Sequence, residues 1–448
     1  MSKELKIERP LGSHEEMYWR LDAGQSLNFT VRATISGGLT PDLTRGALDA
    51  LQQRYPKLRV KIISKRGRPF FRHTAVPIPL RVFRGDEAKA LALMEENINQ
   101  PYDTTAGPLM RVSQVIHGAN KSSILFSFHH SISDGRSTLL MFKDFILYAE
   151  KLFRGEVLVV ESRPMVPAFE DLLPAEVKGW RGFILLLRAM GRLARGVLAT
   201  GFPFRSLPKT RRSSLGERQV VVFEETLEPD VTENLIKLAR RHNTTLHGAL
   251  HAAFVLSACH EISAEKSLNL FAGTVTDIRS TLSDEAVGAA GLFATVAGGP
   301  IQASSKDSLW QLAQELRTRL LADVESQMNL ILTLLPYRVS NWVMRMIGPW
   351  AAKPFMNILD ASHPPTIPLS NLGAIEYSEF GGVFDIEKLC VVSAPSILGT
   401  VSGHAVTVKG RLNLSVGGSA PTINPAMIQR YLSRAVQMLV RETEASIV

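Results

Sequence analysis

The sequence predicts an α/β fold built as two lobes of similar size. Three observations carry this. At 448 residues the chain is too long for one ordinary core. Strand-like alternation and helix-like periodicity take turns in both halves. Between them, residues 156–217 change texture, with the proline-bearing stretches ESRPMVPAFEDLLPAE and FPFRSLPKTRRSSLGER around an apolar segment. The expected division is an N-terminal lobe over 1–160, a connection over 161–217 and a C-terminal lobe over 218–448.

The elements follow in order. LNFTVRATIS (27–36) sets Leu27, Phe29, Val31, Ala33 and Ile35 on one side, the period of a half-buried strand. After Gly37-Gly38 comes a helix from Thr40, a cap residue, through Pro41 at the first helical position to just before Pro56. LRVKIIS (58–64) reads as a strand and DEAKALALMEENINQ (86–100) as a helix. RVSQVIH (111–117) and SSILFSFHH (122–130) are consecutive strands around a turn at Gly118. A helix over 136–155 groups Leu139, Phe142, Phe145, Ile146 and Phe153, and Gly155 ends it. The second half offers a strand at 219–227 and a helix at 244–262 capped by Thr244. The segment LNLFAGTVTDIR (268–279) and a helix at 308–328 follow, then strands in LCVVSAPSI and AVTVKGRLNLSVGG and a helix from Pro425.

Composition narrows the class. Apolar residues are 45% and charged residues 21%, the balance of a folded protein. The net charge of +9 and pI of about 9.6 favour acidic partners. Cys259 and Cys390 lie in apolar surroundings without C-x-x-C spacing, which suggests neither a zinc cage nor a disulfide framework and suits a reducing cytoplasm. The charged N-terminus has no secretory h-region, and arginines interrupt the most apolar segment, 183–202, so no membrane span is expected. G-x-S-x-G, P-loop and G-x-G-x-x-G motifs are missing, which removes the usual signals for serine hydrolases, P-loop enzymes and Rossmann enzymes.

FSFHHSISDGRS (126–137) carries the chemistry. An apolar strand ends in His129-His130, Ser-Ile-Ser-Asp-Gly turns the chain, and a helix starts. Gly135 is available there for a backbone conformation other residues avoid. Such a junction presents a side chain to a cleft from a rigid element. Histidine can take and return a proton near neutrality, and an aspartate four residues on can hold the loop's shape.

H-H-x-x-x-D-G, present as His129-His130-Ser-Ile-Ser-Asp134-Gly135, is the signature of the chloramphenicol acetyltransferase-like superfamily, which this chain resembles. Three more regions agree in order: RPLGSHEEMYWRLD (9–22), TVTDIR (274–279) and PLSNLG (368–373). The branch that matches best includes polyketide-associated acyltransferases, alcohol acetyltransferases and condensation domains. The resemblance implies two lobes, each a mixed sheet with helices, meeting at a tunnel. His130 would be the general base, drawing the proton from an acceptor as it attacks an acyl thioester. Asp134 would pair with Arg279 to fix the loop, with His129 and Gly135 as support. Ser370, Asn371 and Gly373 would line the tunnel or polarise the carbonyl, or simply form a turn. The implied donor is acyl-CoA or a phosphopantetheinyl acyl-carrier thioester, with no bound cofactor and a small-molecule acceptor. Ester formation is expected, with amide formation by a free-standing condensation domain as the alternative. A non-catalytic relative that binds an acyl carrier or a membrane is a third reading.

His247 and His251 sit four apart on a helix, but no H-E-x-x-H pattern follows, and no metal is assigned. Basic runs such as 64–73 read as a solvated face, not a nucleic-acid site, and a monomer is expected. Helix 178–198 is basic and amphipathic: Lys178, Arg181, Arg188, Arg192 and Arg195 share one face. It either packs on its own protein with its arginines in water, or touches anionic lipid or an acidic carrier protein. Together with the apolar stretch 329–350, it could also line an acyl pocket.

Overall fold

The computed structural model describes residues 8–22, 24, 26–282, 286–347, 354, 357, 358, 360, 366–375, 382–395 and 399–445. In chain order the first part contains β1 (Glu8–Pro10), α1 (Ser13–Asp22), β2 (Asn28–Ser36), α2 (Pro41–Arg54), β3 (Val60–Lys65), β4 (Arg68–His73), β5 (Leu80–Arg84), α3 (Glu87–Asn99), β6 (Met110–Ile116), β7 (Lys121–His129) and α4 (Gly135–Phe153). Then come α5 (Gly179–Thr200), β8 (Gln219–Leu227), α6 (Pro229–Arg241), α7 (Leu246–Ile262), β9 (Leu268–Asp277), β10 (Ala294–Ala303), α8 (Leu309–Glu325) and α9 (Met328–Ile347). The rest is β11 (Thr366–Ile375), β12 (Asp385–Ser393), β13 (Val401–Val408), β14 (Arg411–Ala420) and α10 (Pro425–Ala445).

The strands form three sheets, ordered β1-β4-β3, β12-β2-β7-β6-β5 and β10-β9-β11-β13-β14-β8. The two larger ones are mixed and are covered by helices, giving the two-lobed α/β fold. One strand crosses between the lobes. β12, late in sequence, pairs antiparallel with β2 and so completes the sheet of the first lobe. Its neighbours on the other side are β13 and β14, where Ser415 Oγ donates to Val391 O at 2.6 Å and Ser402 Oγ to Ser393 O at 2.7 Å.

Each lobe has its own core. In the first, Phe126, Phe142 and Phe145 pack ring on ring between β7 and α4, at centroid distances of 4.9–5.8 Å. Burying each such side chain contributes about 1.5–3 kcal/mol. Phe153, expected on that face, is exposed instead, because it lies in the last turn of α4. In the second lobe α7 is buried from Gly248 to Cys259, a helix apolar all round and enclosed by neighbours.

Four local expectations need correction. β2 is buried on both faces, not one. Its second face is covered by α3 and β8, and Arg32 there is neutralised by Glu87 at 2.9 Å and Glu224 at 2.5 Å. The cap of α7 is Thr245, which accepts from Gly248 N, while the Thr244 hydroxyl donates to Ala313 O. Segment 308–328 is not one helix: α8 ends at Glu325, and Met328 starts α9, which carries Pro336 within it. Gly135 has no positive φ and sits in the first turn of α4. Residues 348–350 of the Trp- and Met-rich stretch, and 396–397 of LCVVSAPSI, lie outside the described residues.

Candidate active site

β7 ends at His129, and α4 starts at Gly135. The loop between them is held at both ends. Asp134 is the N-cap of α4 and accepts from Ser137 N at 2.7 Å. Its other oxygen accepts from Phe293 N at 2.7 Å, and Arg279 Nη2 reaches both oxygens at 3.1 and 3.2 Å. Burial alone would raise this carboxyl, but Arg279 and the two backbone donors hold it below the usual carboxylate range. Arg279 is itself secured by Asp277 at 2.7 Å, Ala289 O at 3.0 Å and Ser137 Oγ at 2.5 Å, with its guanidinium 4.5 Å from the Phe293 ring centre. Segments 145 residues apart are thus tied into one buried knot.

The two histidines differ. His129 is fully buried; its Nδ1 accepts from Ser131 N at 3.1 Å, so the ring's proton sits on Nε2, 3.6 Å from Asp22 Oδ2. His130 is half-buried between the rings of Tyr18 and Phe29, at centroid distances of 4.6 and 4.8 Å and tilted to both. Its Nδ1 lies 3.0 Å from Ser133 O. A carbonyl can only accept, so Nδ1 carries the proton and Nε2 keeps its lone pair. Burial lowers the pKa of this imidazole, a shift that Asp134 only partly opposes, so the ring is neutral at physiological pH.

Gly135 meets a requirement of space instead of backbone angle. A Cβ there would lie 2.8 Å from Leu372 Cδ2, so glycine lets β11 close onto the loop. Around Leu372 the pairing of β11 with β13 is broken by a bulge, with Gly373 at φ +79°. Asn371 Oδ1 accepts from Gly373 N at 2.9 Å, which holds the bulge. Ser370 is opposite His404 in β13 and Val275 in β9.

Three residues at this junction gave no clear sign in the sequence. His14 and Tyr18 are one turn apart on α1, their rings 5.2 Å apart, and Tyr18 faces His130. His404 Nε2 accepts from Ser393 N at 3.1 Å; Ser393 is opposite Phe29 in the sheet, and Phe29 packs on His130. Burial lowers His14 and His404 to about 3, with His130 as a further contributor to both. The i,i+4 spacing of His14 and Tyr18 was the available signal for α1. For His404, inside a plain apolar strand, there was none.

His247 and His251 are used inside the second lobe. Both bond to Thr274 Oγ1, at 3.1 and 3.2 Å, and His251 Nε2 donates to Ile367 O at 3.2 Å.

The comparisons with known proteins give this two-lobed fold, with its strand–loop–helix histidine site, its class: that of condensation domains and related transferases. The condensation domain family model matches residues 20–171, and that of the phthiocerol/phthiodiolone dimycocerosyl transferase C-terminus matches 216–416. The chain belongs to the chloramphenicol acetyltransferase-like superfamily, in the branch that holds condensation domains and polyketide-associated acyltransferases. It is similar to tyrocidine synthase 3 of Brevibacillus parabrevis, 33% identical over 131 residues, which is 29% of this chain and 2% of that protein. Among solved structures it is similar to polyketide synthase associated protein 5 from Mycobacterium tuberculosis, with a TM-score of 0.67 and 14% identity, covering 98% and 99% of the two chains. It is also similar to the TRI3 trichothecene 15-O-acetyltransferase from Fusarium sporotrichioides, with a TM-score of 0.73 and 13% identity, covering 98% and 96%.

Proposed function

We propose that this chain is an acyltransferase that moves an acyl group from a coenzyme A or carrier-protein thioester to an alcohol. The observation that carries this reading is the His130 tautomer: Nδ1 is committed to Ser133 O, and Nε2 is left as a neutral base. In the proposed step, His130 Nε2 takes the proton of the acceptor hydroxyl as its oxygen attacks the thioester carbonyl. The tetrahedral intermediate collapses, the C–S bond breaks, and the thiolate leaves with the proton returned by His130. No acyl-enzyme forms. Asp134 and Arg279 hold the loop without touching substrate, and His129 and Gly135 support it. The tunnel between the lobes would bring donor and acceptor to His130 from opposite sides, past Ser370 and Asn371.

An apolar cavity of about 520 Å³ borders the same loop, lined by Leu58, Ile132, Met141, Met165, Val166 and Ala290 among others. It supports a hydrocarbon portion on one substrate. Amide formation is the second reading, favoured by the condensation-domain match over the segment that carries the histidine motif. A binding-only role is disfavoured, since such a protein has no chemical reason to keep the base and its Asp134–Arg279 support. The test is to offer acyl-CoA and acyl-carrier donors with pooled alcohols and amines, and to identify the products by mass spectrometry. Esters are expected; amides alone would select the second reading, and neither product with any donor would remove both.

A further inference from the structure

α5 and α9 each bury one apolar side against the protein and turn a second to solvent. α5 packs on the protein through Gly182, Ala189 and Gly196, spaced seven apart, with Leu185 and Leu186 partly buried against the same core. A Cβ on Gly182 would meet Val177 O at 2.3 Å, one on Gly196 would meet Pro300 at 3.6 Å, and Ala189 is buried. Its opposite arc turns large apolar side chains to solvent: Trp180 (72% exposed), Phe183, Leu187, Met190 and Leu198 (80%). A helix packed on one side ordinarily keeps polar residues on its outer face. Beside this stripe, Arg181, Arg188 and Arg195 are exposed, while Arg192 turns inward to Ala322 O at 3.1 Å and Asp323 at 3.6 Å.

α9 packs against α5 and buries Met328, Leu330, Ile331, Leu334 and Met344 on its inner side. Its polar Asn341 points inward and donates to Ser13 O at 2.7 Å, and its Tyr337 ring lies 5.4 Å from His14. Outward it shows Leu335, Val339, Trp342 (63%) and Met346 (70%), with exposed Arg338 and with Arg345, which pairs with Glu16. Neither helix contains an aspartate or glutamate.

We propose that the joined outer faces of α5 and α9 dock this protein onto an anionic phospholipid surface. Every formal charge on the two helices is positive, so the partner is anionic. Trp180 and Trp342, with flanking arginines whose stems can lie along apolar surface, suit the boundary between headgroups and acyl chains. α5 alone offers a stripe about 33 Å long, and α9 extends it sideways. An acidic carrier protein would match the arginines but not so broad an apolar area. No described helix is long and apolar enough to cross a membrane, so the contact is one that lies on the surface. The inner face of α9 touches His14, which places the lipid surface one helix thickness from the His130 junction. If the acyl-transfer reading holds, an amphiphilic substrate could enter directly from the bilayer; the docking itself does not depend on that reading.

The test is sedimentation of the full chain with vesicles of phosphatidylcholine alone and of phosphatidylcholine mixed with phosphatidylglycerol. Binding to the mixed vesicles is expected, weakened by salt and about tenfold weaker on phosphatidylcholine alone. A Trp180→Ser, Leu187→Ser, Trp342→Ser variant should keep its melting temperature, since all three side chains are exposed, and lose at least tenfold in vesicle binding. An Arg181→Gln, Arg188→Gln, Arg195→Gln variant should lose the preference for phosphatidylglycerol. The proposal is overturned by an absence of vesicle binding, by binding that survives the serine variant, or by finding that the same residues instead mediate a dimer or capture an acidic carrier protein.

Discussion

Asp134 accepts from Arg279 Nη2 at 3.1 and 3.2 Å while also capping α4 and accepting from Phe293 N, so one carboxylate joins β7, α4 and the segment after β9. Asp134→Ala leaves two buried backbone donors without their acceptor and removes one of the two carboxylates that neutralise Arg279, at a cost of about 3–5 kcal/mol. Asp134→Asn keeps an acceptor and should cost less. Urea unfolding checks the order; equal stability of wild type and Asp134→Ala would contradict it.

A second buried network predicts an asymmetry. Glu15 accepts from Lys57 at 2.7 Å and from both ends of the Arg9 fork at 2.7 and 2.8 Å. Burial would raise the Glu15 carboxyl, yet the two cations hold it near 2. Glu15→Gln strands both cations and should lose about 3–5 kcal/mol. Lys57→Met leaves Glu15 paired with Arg9 and should lose less. Denaturation midpoints of the two variants decide it; a larger loss in Lys57→Met would reverse the assignment.

Acid should destabilise the protein well above the carboxylate range. Burial lowers His14, His247 and His404 to about 3 and His251 to about 4. In the unfolded chain these groups titrate near their ordinary value of about 6.5, so between that pH and their folded values the unfolded state binds more protons. Stability is therefore full above about pH 6.5 and falls as pH drops toward 3–4, by roughly 1.5–2 kcal/mol per group between pH 6.5 and 5. A denaturation midpoint that stays level across that interval would show these imidazoles protonating freely in the folded state.

Asn371 separates shape from chemistry. Its Oδ1 holds Gly373 N at 2.9 Å in the β11 bulge that closes on Gly135. Asn371→Asp preserves that acceptor and should keep turnover within a few-fold, while Asn371→Ala should lose about 1 kcal/mol of stability together with rate. A loss of about 10²–10³ in both variants would instead give the Asn371 amide a direct role at the carbonyl oxygen.

Much of this was legible in the sequence because it is local. Period-two alternation placed β2, strand runs around the Gly118 turn placed β6 and β7, and Thr40 with Pro41 placed the start of α2, since these depend on neighbours a few residues away. The Asp134–Arg279 pair was legible only through the family resemblance, for nothing in local spacing links residues so far apart. What escaped was set by tertiary contact. The burial of both faces of β2 depends on α3 and β8, the crossing of β12 on a pairing with β2, and the place of His404 on Ser393. The amphipathicity of α5 was readable, but its orientation was not. The pattern of large and small residues does not say which face turns to the protein until Gly182 and Gly196 are seen in contact.

The central claim is that His130 Nε2 is the base. Its most direct test is the acyl-transfer rate of His130→Ala against wild type, with matched acyl thioester and alcohol and the fold confirmed by melting temperature. The account predicts a folded protein whose rate falls by about 10²–10⁴. In wild type, kcat/KM should hold down to a pH below 6.5, following the lowered pKa of His130. Turnover unchanged in His130→Ala would contradict the account.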